Sequence, residues 1–205
     1  MNSFGRLFSV SIFGESHGEC VGITIDGCPA GIEIDIAYIQ HELDRRRPGQ
    51  SSITTQRKEG DKIVIQSGVY QGKSTGAPIL MLIPNEDSRP TDYDQVEQAF
   101  RPSHADYTYH QKYGTRDHRG GGRSSARETV NWVAAGAIAK MILHQAGIKI
   151  NAAVSSVGSI QVEIPISAFD WEFAEQNPVR CPDPSTSISM LTLIEETRES
   201  GDTIG

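Results

Sequence analysis

Behind Ser125-Ala126-Arg127-Glu128, which fits a capping box, Val130, Val133, Ala134, Ile138, Met141 and Ile142 recur at helical spacing until Gly147 stops the run. A helix with such a face has to be covered by apolar surface. The chain ahead of it reads largely as strands. Residues 6–13 alternate crudely, and Val21, Ile23 and Ile25 alternate strictly within 20–26. Segments 61–69 and 77–84 read as further strands, separated by the turn-like YQGKSTG. Asp35 can cap a helix through Ile36, Ile39 and Leu43, which ends near Arg45-Arg46-Arg47 because Pro48-Gly49 cannot continue it. Past Gly147, residues 149–161 read as strand, 168–176 as a short helix and 184–199 as a helix opened by Pro184 or Ser185. Strands and helices alternate only partly, which predicts an α+β class with antiparallel sheet rather than a doubly wound fold.

No repeat, linker or low-complexity segment divides the chain. With 205 residues, 37% hydrophobic and 22% charged, residues 1–205 read as one globular domain or most of one, able to bury a sizeable core. The net charge of -7 disfavours duplex nucleic acid or an anionic membrane as an unspecific partner, so any anion site is local. No apolar run approaches the ~20 residues a membrane helix needs, and MNSFGRLF lacks the layout of a signal peptide. Cys20, Cys28 and Cys181 have no zinc-ligand or CxxC spacing, and a reducing cytoplasm is the simplest expectation.

From Arg101 to Arg127 the periodicity stops, and a loop this long inside a compact domain is usually functional or disordered. Here Arg101, Lys112, Arg116, Arg119, Arg123 and Arg127 face only Asp106 and Asp117 as acids, so the most irregular part of an acidic protein is cationic. Gly120-Gly121-Gly122-Arg123-Ser124-Ser125 then runs straight into the long helix. Backbone N–H groups, the helix dipole, two hydroxyls and an arginine can converge there on one phosphate. The segment matches neither common nucleotide-binding pattern, and the plainer alternative is a flexible loop whose serines cap the helix. Arg45-Arg46-Arg47 has two readings as well: it complements its helix dipole, or it binds an anion.

His17, between glycines in Gly14-Glu15-Ser16-His17-Gly18, and His104, in the cationic loop, are the candidate acids. A histidine near anions is held toward its protonated form, fit to give a proton to a departing oxyanion. His41 and His144 sit within helices and read as packing or surface residues. His104, His110 and His118 match no metal-ligand spacing, and the arginines around them repel a divalent cation, so no metal is expected. Tyr107, Tyr109 and Tyr113 can stack on a flavin or on nucleobases, and the sequence does not choose between them.

Taken together, GESHG followed by CVGITIDGCPAG, then DRRRPGQ, then FRPSHADYTYHQKYG, and above all RGGGRSSARETVNWVAAGAIAK, resemble the chorismate synthase family, along the whole chain. The resemblance implies a β-α-β sandwich with helices packed between antiparallel sheets, assembled as a homotetramer. It implies a shikimate-pathway lyase that converts 5-enolpyruvylshikimate 3-phosphate to chorismate by anti 1,4-elimination of phosphate, with no net redox change but a need for reduced FMN. His104 would protonate the leaving phosphate, and His17 would assist the reduced flavin. Arg123, Ser124 and Ser125 match positions that contact FMN. Arg46 and Arg47 match an arginine cluster associated with anion binding, by substrate or, in bifunctional members, by NADPH, and Arg127 joins them as a residue for the substrate's anionic groups. One departure is Gln50-Ser51-Ser52, where many bacterial members carry another arginine, which speaks against NADPH use. The family sequence also continues well past residue 205, into a part that completes the FMN pocket.

Two rival readings remain at this point. One is a non-catalytic module that binds phosphorylated ligands or single-stranded nucleic acid through residues 101–127, with strongly salt-dependent affinity. The other is a folded remnant whose ligand sites are incomplete.

Overall fold

Val10 and Ile12 on one strand, Val21, Ile23 and Ile25 on the next, and Ile79, Met81 and Ile83 on a third are buried, while the residues between them are mostly less covered. That period of two puts all eight side chains on one face of a sheet. The structure, a computed structural model, describes residues 2–47, 60–85, 97 and 99–205. Their contacts fall into two compact units. The first lies within Met1–Arg47 and Lys58–Ile148, and the second, among the described residues, within Lys149–Gly205. No shift of composition marks the boundary, so the sequence pattern gives nothing on which to divide residues 1–205.

The first unit contains β1 (Ser3–Phe4), β2 (Ser9–Gly14), β3 (Cys20–Asp26), α1 (Ile36–Arg46) and β4 (Val64–Ser67). It continues with β5 (Val69–Tyr70), β6 (Lys73–Ser74), β7 (Ile79–Pro84), α2 (Asp106–Tyr113) and α3 (Thr129–Gln145). Its main sheet runs β1-β2-β3-β7-β4, antiparallel throughout. Register aligns the apolar residues: Val10 pairs with Ile25 and Ile12 with Ile23, and Ile23 pairs with Met81 and Ile25 with Ile79. A slip of one residue would turn this whole set to the other face, which is why the alternation fixes the pairing. The chain is therefore α+β with antiparallel sheet, as its pattern predicts.

On the inward face lie Ile39 and Leu43 of α1 and Val130, Ala134, Ala135, Ala137 and Ile138 of α3, in one core with the strand residues. Each fully buried Ile or Leu side chain contributes about 1.5–3 kcal/mol relative to exposure. α1 begins where the sequence expects: Asp35 caps it, its carboxylate accepting from the N–H groups of Ala37 at 2.9 Å and Tyr38 at 3.1 Å.

Two strand expectations are corrected. Residues 61–69 are not one strand, because Gly68 adopts φ +80° and turns the chain from β4, which pairs with β7, into β5, which pairs with β6. Residues 149–161 form only the short hairpin of β8 (Ser156–Val157) and β9 (Ile160–Gln161). The 101–127 segment also contains the helix α2, which no period reveals. Its sequence, DYTYHQKY, has no apolar stripe; Gly114 ends it at φ +73°.

The second unit holds β8, β9, α4 (Trp171–Gln176) and α5 (Pro184–Glu199). Asp170 caps α4 and Asp183 caps α5, so Pro184 is the first helical residue and not the cap. Its core gathers Val157, Val179, Cys181 and Met190. Buried Asn177 ties it together: Nδ2 donates to the carbonyls of Phe173 and Cys181, and Oδ1 accepts from Cys181 N and Ser187 Oγ. Cys20, Cys28 and Cys181 are free thiols. Among the described residues no helix is long and apolar enough to cross a membrane.

Candidate active site

β2 and β3 are joined by the turn that carries Glu15, Ser16 and His17. Ser16 is 1% exposed and His17 is buried, with Ser16 Oγ 3.0 Å from His17 Nδ1. Asn85, directly after β7, pins this turn from below: its Nδ2 donates to the carbonyls of Glu15 and Gly18, each at 2.9 Å. From the other side, Ser16 N donates to the carbonyl of Gly122 at 3.3 Å. The hairpin end is thus bound to the triple-glycine segment more than a hundred residues away in sequence.

Gly120, Gly121 and Gly122 adopt φ 60°, 89° and 51°, conformations that L side chains rarely take. Space demands glycine as well. A Cβ at Gly120 would lie 2.0 Å from Cε1 and Nδ1 of His17, and one at Gly121 would lie 2.7 Å from Cε1 of His104. The two candidate acids therefore rest on consecutive glycines, although the sequence separates them widely. His104 is partly exposed, beside Asp106 and Arg101.

The expected capping box does not form. Ser125 Oγ accepts from Arg127 N at 3.3 Å, which caps a short 3-10 turn, Ala126–Glu128, ahead of α3. Glu128 instead directs Oε2 to Arg123 Nη1 and to Asn131 Nδ2. Arg123 also donates to the carbonyls of Gly14 and Ile12 and to Asn2 Oδ1, which fastens the glycine segment to the end of β2. Burial pushes the Glu128 carboxyl up to about 7 against the pull of Arg123. Ser124 Oγ donates to the carbonyl of Gly121 at 2.7 Å.

Arg46 and Arg127 meet on one carboxylate. Arg46 Nη1 lies 3.0 Å from Asp61 Oδ2 and its Nε donates to Thr129 Oγ1 at 3.2 Å. Arg127, only 5% exposed, donates from Nη1 to Asp61 Oδ1, from Nε to Asn85 Oδ1 and from Nη2 to the carbonyl of Pro84. Two guanidinium groups thus share one buried carboxylate beneath the hairpin turn. Arg47 stands apart at the end of α1, with Nη1 3.8 Å from Asp44. Gln50-Ser51-Ser52 lies outside the described residues.

The cationic count of residues 101–127 overstates the field, because each of its arginines faces a carboxylate. Arg101 and Arg116 face Asp106, Arg119 faces Asp117, Arg123 faces Glu128, and Arg127 faces Asp61. A cavity of about 560 Å³ opens beside them, lined among others by Glu15, Tyr109, Tyr113, Arg119, Arg123 and Ser124. Tyr107 packs edge-on against Phe100 instead. From the hairpin turn it is Glu15 that lines the cavity, while His17 is tucked behind Gly120. Asp61 and Asn85 were not singled out from sequence, and Glu128 was read only as part of a capping box, since only the fold brings the three to the site. Asp106 carried a signal, as one of two acids in a cationic stretch. Among the described residues no group of three or more His, Cys, Asp or Glu side chains gathers to hold a metal ion.

A family model described as chorismate synthase matches residues 8–205. The chorismate synthase of Cytophaga hutchinsonii is 56% identical over 204 residues, and that of Parabacteroides distasonis 55% over 205. Each match takes in 100% of this chain and 57% of the relative. A crystal structure of a chorismate synthase superposes with a TM-score of 0.75 at 33% identity, covering 98% of this chain and 56% of that one. The chain thus spans about 57% of the length of the curated relatives it matches.

Proposed function

The chain belongs to the chorismate synthase family, and on that premise we propose that it forms part of an enzyme that eliminates phosphate from 5-enolpyruvylshikimate 3-phosphate to give chorismate. The observation that carries this reading is the seating of His17 and His104 on Gly120 and Gly121, directly ahead of Arg123-Ser124-Ser125. Two imidazoles from distant segments converge where an anion-binding segment begins.

In this reading His104 gives a proton to the departing phosphate oxygen as the allylic C–O bond breaks. His17, with Ser16 at its Nδ1, holds the charge state of the cofactor. Arg46 and Arg127, which share the Asp61 carboxylate, together with Arg47 attract the substrate's phosphate and carboxylates. Arg123, Ser124 and Ser125 hold FMN with the tyrosines of the cavity, whose volume lies in the range of ligand sites and whose lining combines aromatic rings with arginines. When bound there, reduced FMN would supply electron density to the allylic C–O bond. NADPH enters only in a bifunctional enzyme, and the assembly is a cytoplasmic homotetramer.

The test is anaerobic phosphate release and chorismate formation by the full-length protein with chemically reduced FMN, alongside His104→Ala and a flavin titration. His104→Ala is expected to lower kcat by about 10²-fold or more, with substrate affinity changed only a few-fold. Near-normal turnover in that variant would remove His104 from the chemistry. Binding without any turnover in the unaltered protein would favour a non-catalytic module.

A further inference from the structure

The Nδ1 edge of the His104 ring faces two charged groups among the described residues. Its Nδ1 lies 3.0 Å from Asp106 Oδ1 and 3.2 Å from Arg101 Nη2. Asp106 is 1% exposed and receives three hydrogen bonds from Arg101, from N at 3.2 Å, Nε at 2.8 Å and Nη2 at 3.0 Å. Arg116 Nη1 stands 3.5 Å from the same carboxylate. Hydrogen bonding from Arg101 holds the Asp106 carboxyl well below the usual carboxylate range, so it is an anion at neutral pH. The opposite edge of the ring lies against Gly121, whose Cβ position falls 2.9 Å from Nε2, and Gly121 lines the cavity.

We propose that Asp106, fixed by Arg101, is the positioning residue of His104: it claims Nδ1 and offsets the charge of the protonated ring, leaving Nε2 as the nitrogen that gives up its proton. The proposal rests on the reading of His104 as the acid. A guanidinium only donates and a carboxylate only accepts. Arg101 can therefore bond Nδ1 only while that nitrogen is bare, and protonation transfers Nδ1 from Arg101 to Asp106. In the proton-transfer step the Nε2–H bond breaks, its electron pair stays on the ring, and an O–H bond forms on the departing phosphate. The ring left behind is neutral, with its hydrogen on Nδ1 against Asp106. Among the described residues the charged groups facing this ring are Asp106 and Arg101 directly, Arg116 through Asp106, and His17 across the adjoining glycines.

The test uses the full-length protein with Asp106→Asn, Asp106→Glu and Arg101→Gln. The ring Cε1–H resonance of His104 is followed by NMR against pH, and kcat/KM is measured over the same range. Asp106→Asn, which removes the anion 3.0 Å from Nδ1, is expected to move the His104 titration midpoint, and the basic limb of the rate profile, lower. It should lower kcat at least about tenfold with KM within a few-fold. Asp106→Glu should restore the midpoint, and Arg101→Gln should move it upward, because a neighbouring cation is lost. A buried ion pair with a purely structural role would lower activity while leaving the midpoint in place. An unchanged midpoint in folded Asp106→Asn and Arg101→Gln overturns the proposal. If Asp106→Asn does not fold, the direction of the shift in Arg101→Gln decides alone. Shifted midpoints with full turnover in His104→Ala would leave the positioning standing and defeat the catalytic reading.

Discussion

Glu128 has one carboxylate oxygen on Arg123 and Asn131, and the other, Oε1, buried without a hydrogen-bond partner among the described residues. Burial is the larger influence and raises its pKa from 4.5 to about 7. The folded state then binds the proton more tightly than the unfolded chain. Stability is fully present below about pH 4.5 and declines as pH rises through about 7. Glu128→Gln, which cannot ionise, is expected to flatten this decline by on the order of 1 kcal/mol after allowance for screening. Urea unfolding at about pH 5 and about pH 8 measures it; an equal pH dependence in both proteins would show that the carboxylate stays ionised throughout. Sequence reading placed Glu128 in a capping box because the spacing fits one. It could not foresee that Arg123, five residues earlier, would claim the carboxylate, since that contact needs the left-handed turn through Gly120, Gly121 and Gly122.

At the scale of the element, α1 and α2 show when a helix can be read. α1 is amphipathic and capped by Asp35, both local properties, so its start and its end near Arg46 follow from the residues themselves. Asp35→Ala leaves the N–H groups of Ala37 and Tyr38 without their acceptor and is expected to cost about 1 kcal/mol in urea unfolding. A cost near zero would mean that water replaces the cap. α2 has no apolar stripe, and Asp106 at its first turn is held by Arg101. Its helicity depends on charged partners more than on a periodic face, so the segment reads as loop. The split of residues 61–69 at Gly68 has a similar origin. The strand pattern was present, but the pairing partner changes from β7 to β6.

At the scale of the molecule, the two units differ in what holds them. The first has a sheet of aligned isoleucines and valines under two helices, whereas the second closes on Val157, Val179, Cys181 and Met190 with Asn177. Local opening follows buried apolar contact. Amides of β3 and the middle of α3 are therefore expected to exchange with solvent more slowly than those of β8, β9 and α5; equal protection would mean that the two units open only together. Residue pattern alone was enough for the α+β class, for β2, β3 and β7 of the main sheet, for both flanking helices of its core and for the family, because periodicity and motif are properties of neighbouring residues. It also named His17, His104, Arg123 and Arg127. Only the tertiary structure decided what these side chains face: His17 and His104 on consecutive glycines, Arg46 and Arg127 on Asp61, and Arg123 on Glu128. Those partners are brought together by sheet register and by a turn open to glycine alone, and a charge or an imidazole carries no mark in sequence of which distant group will neutralise it.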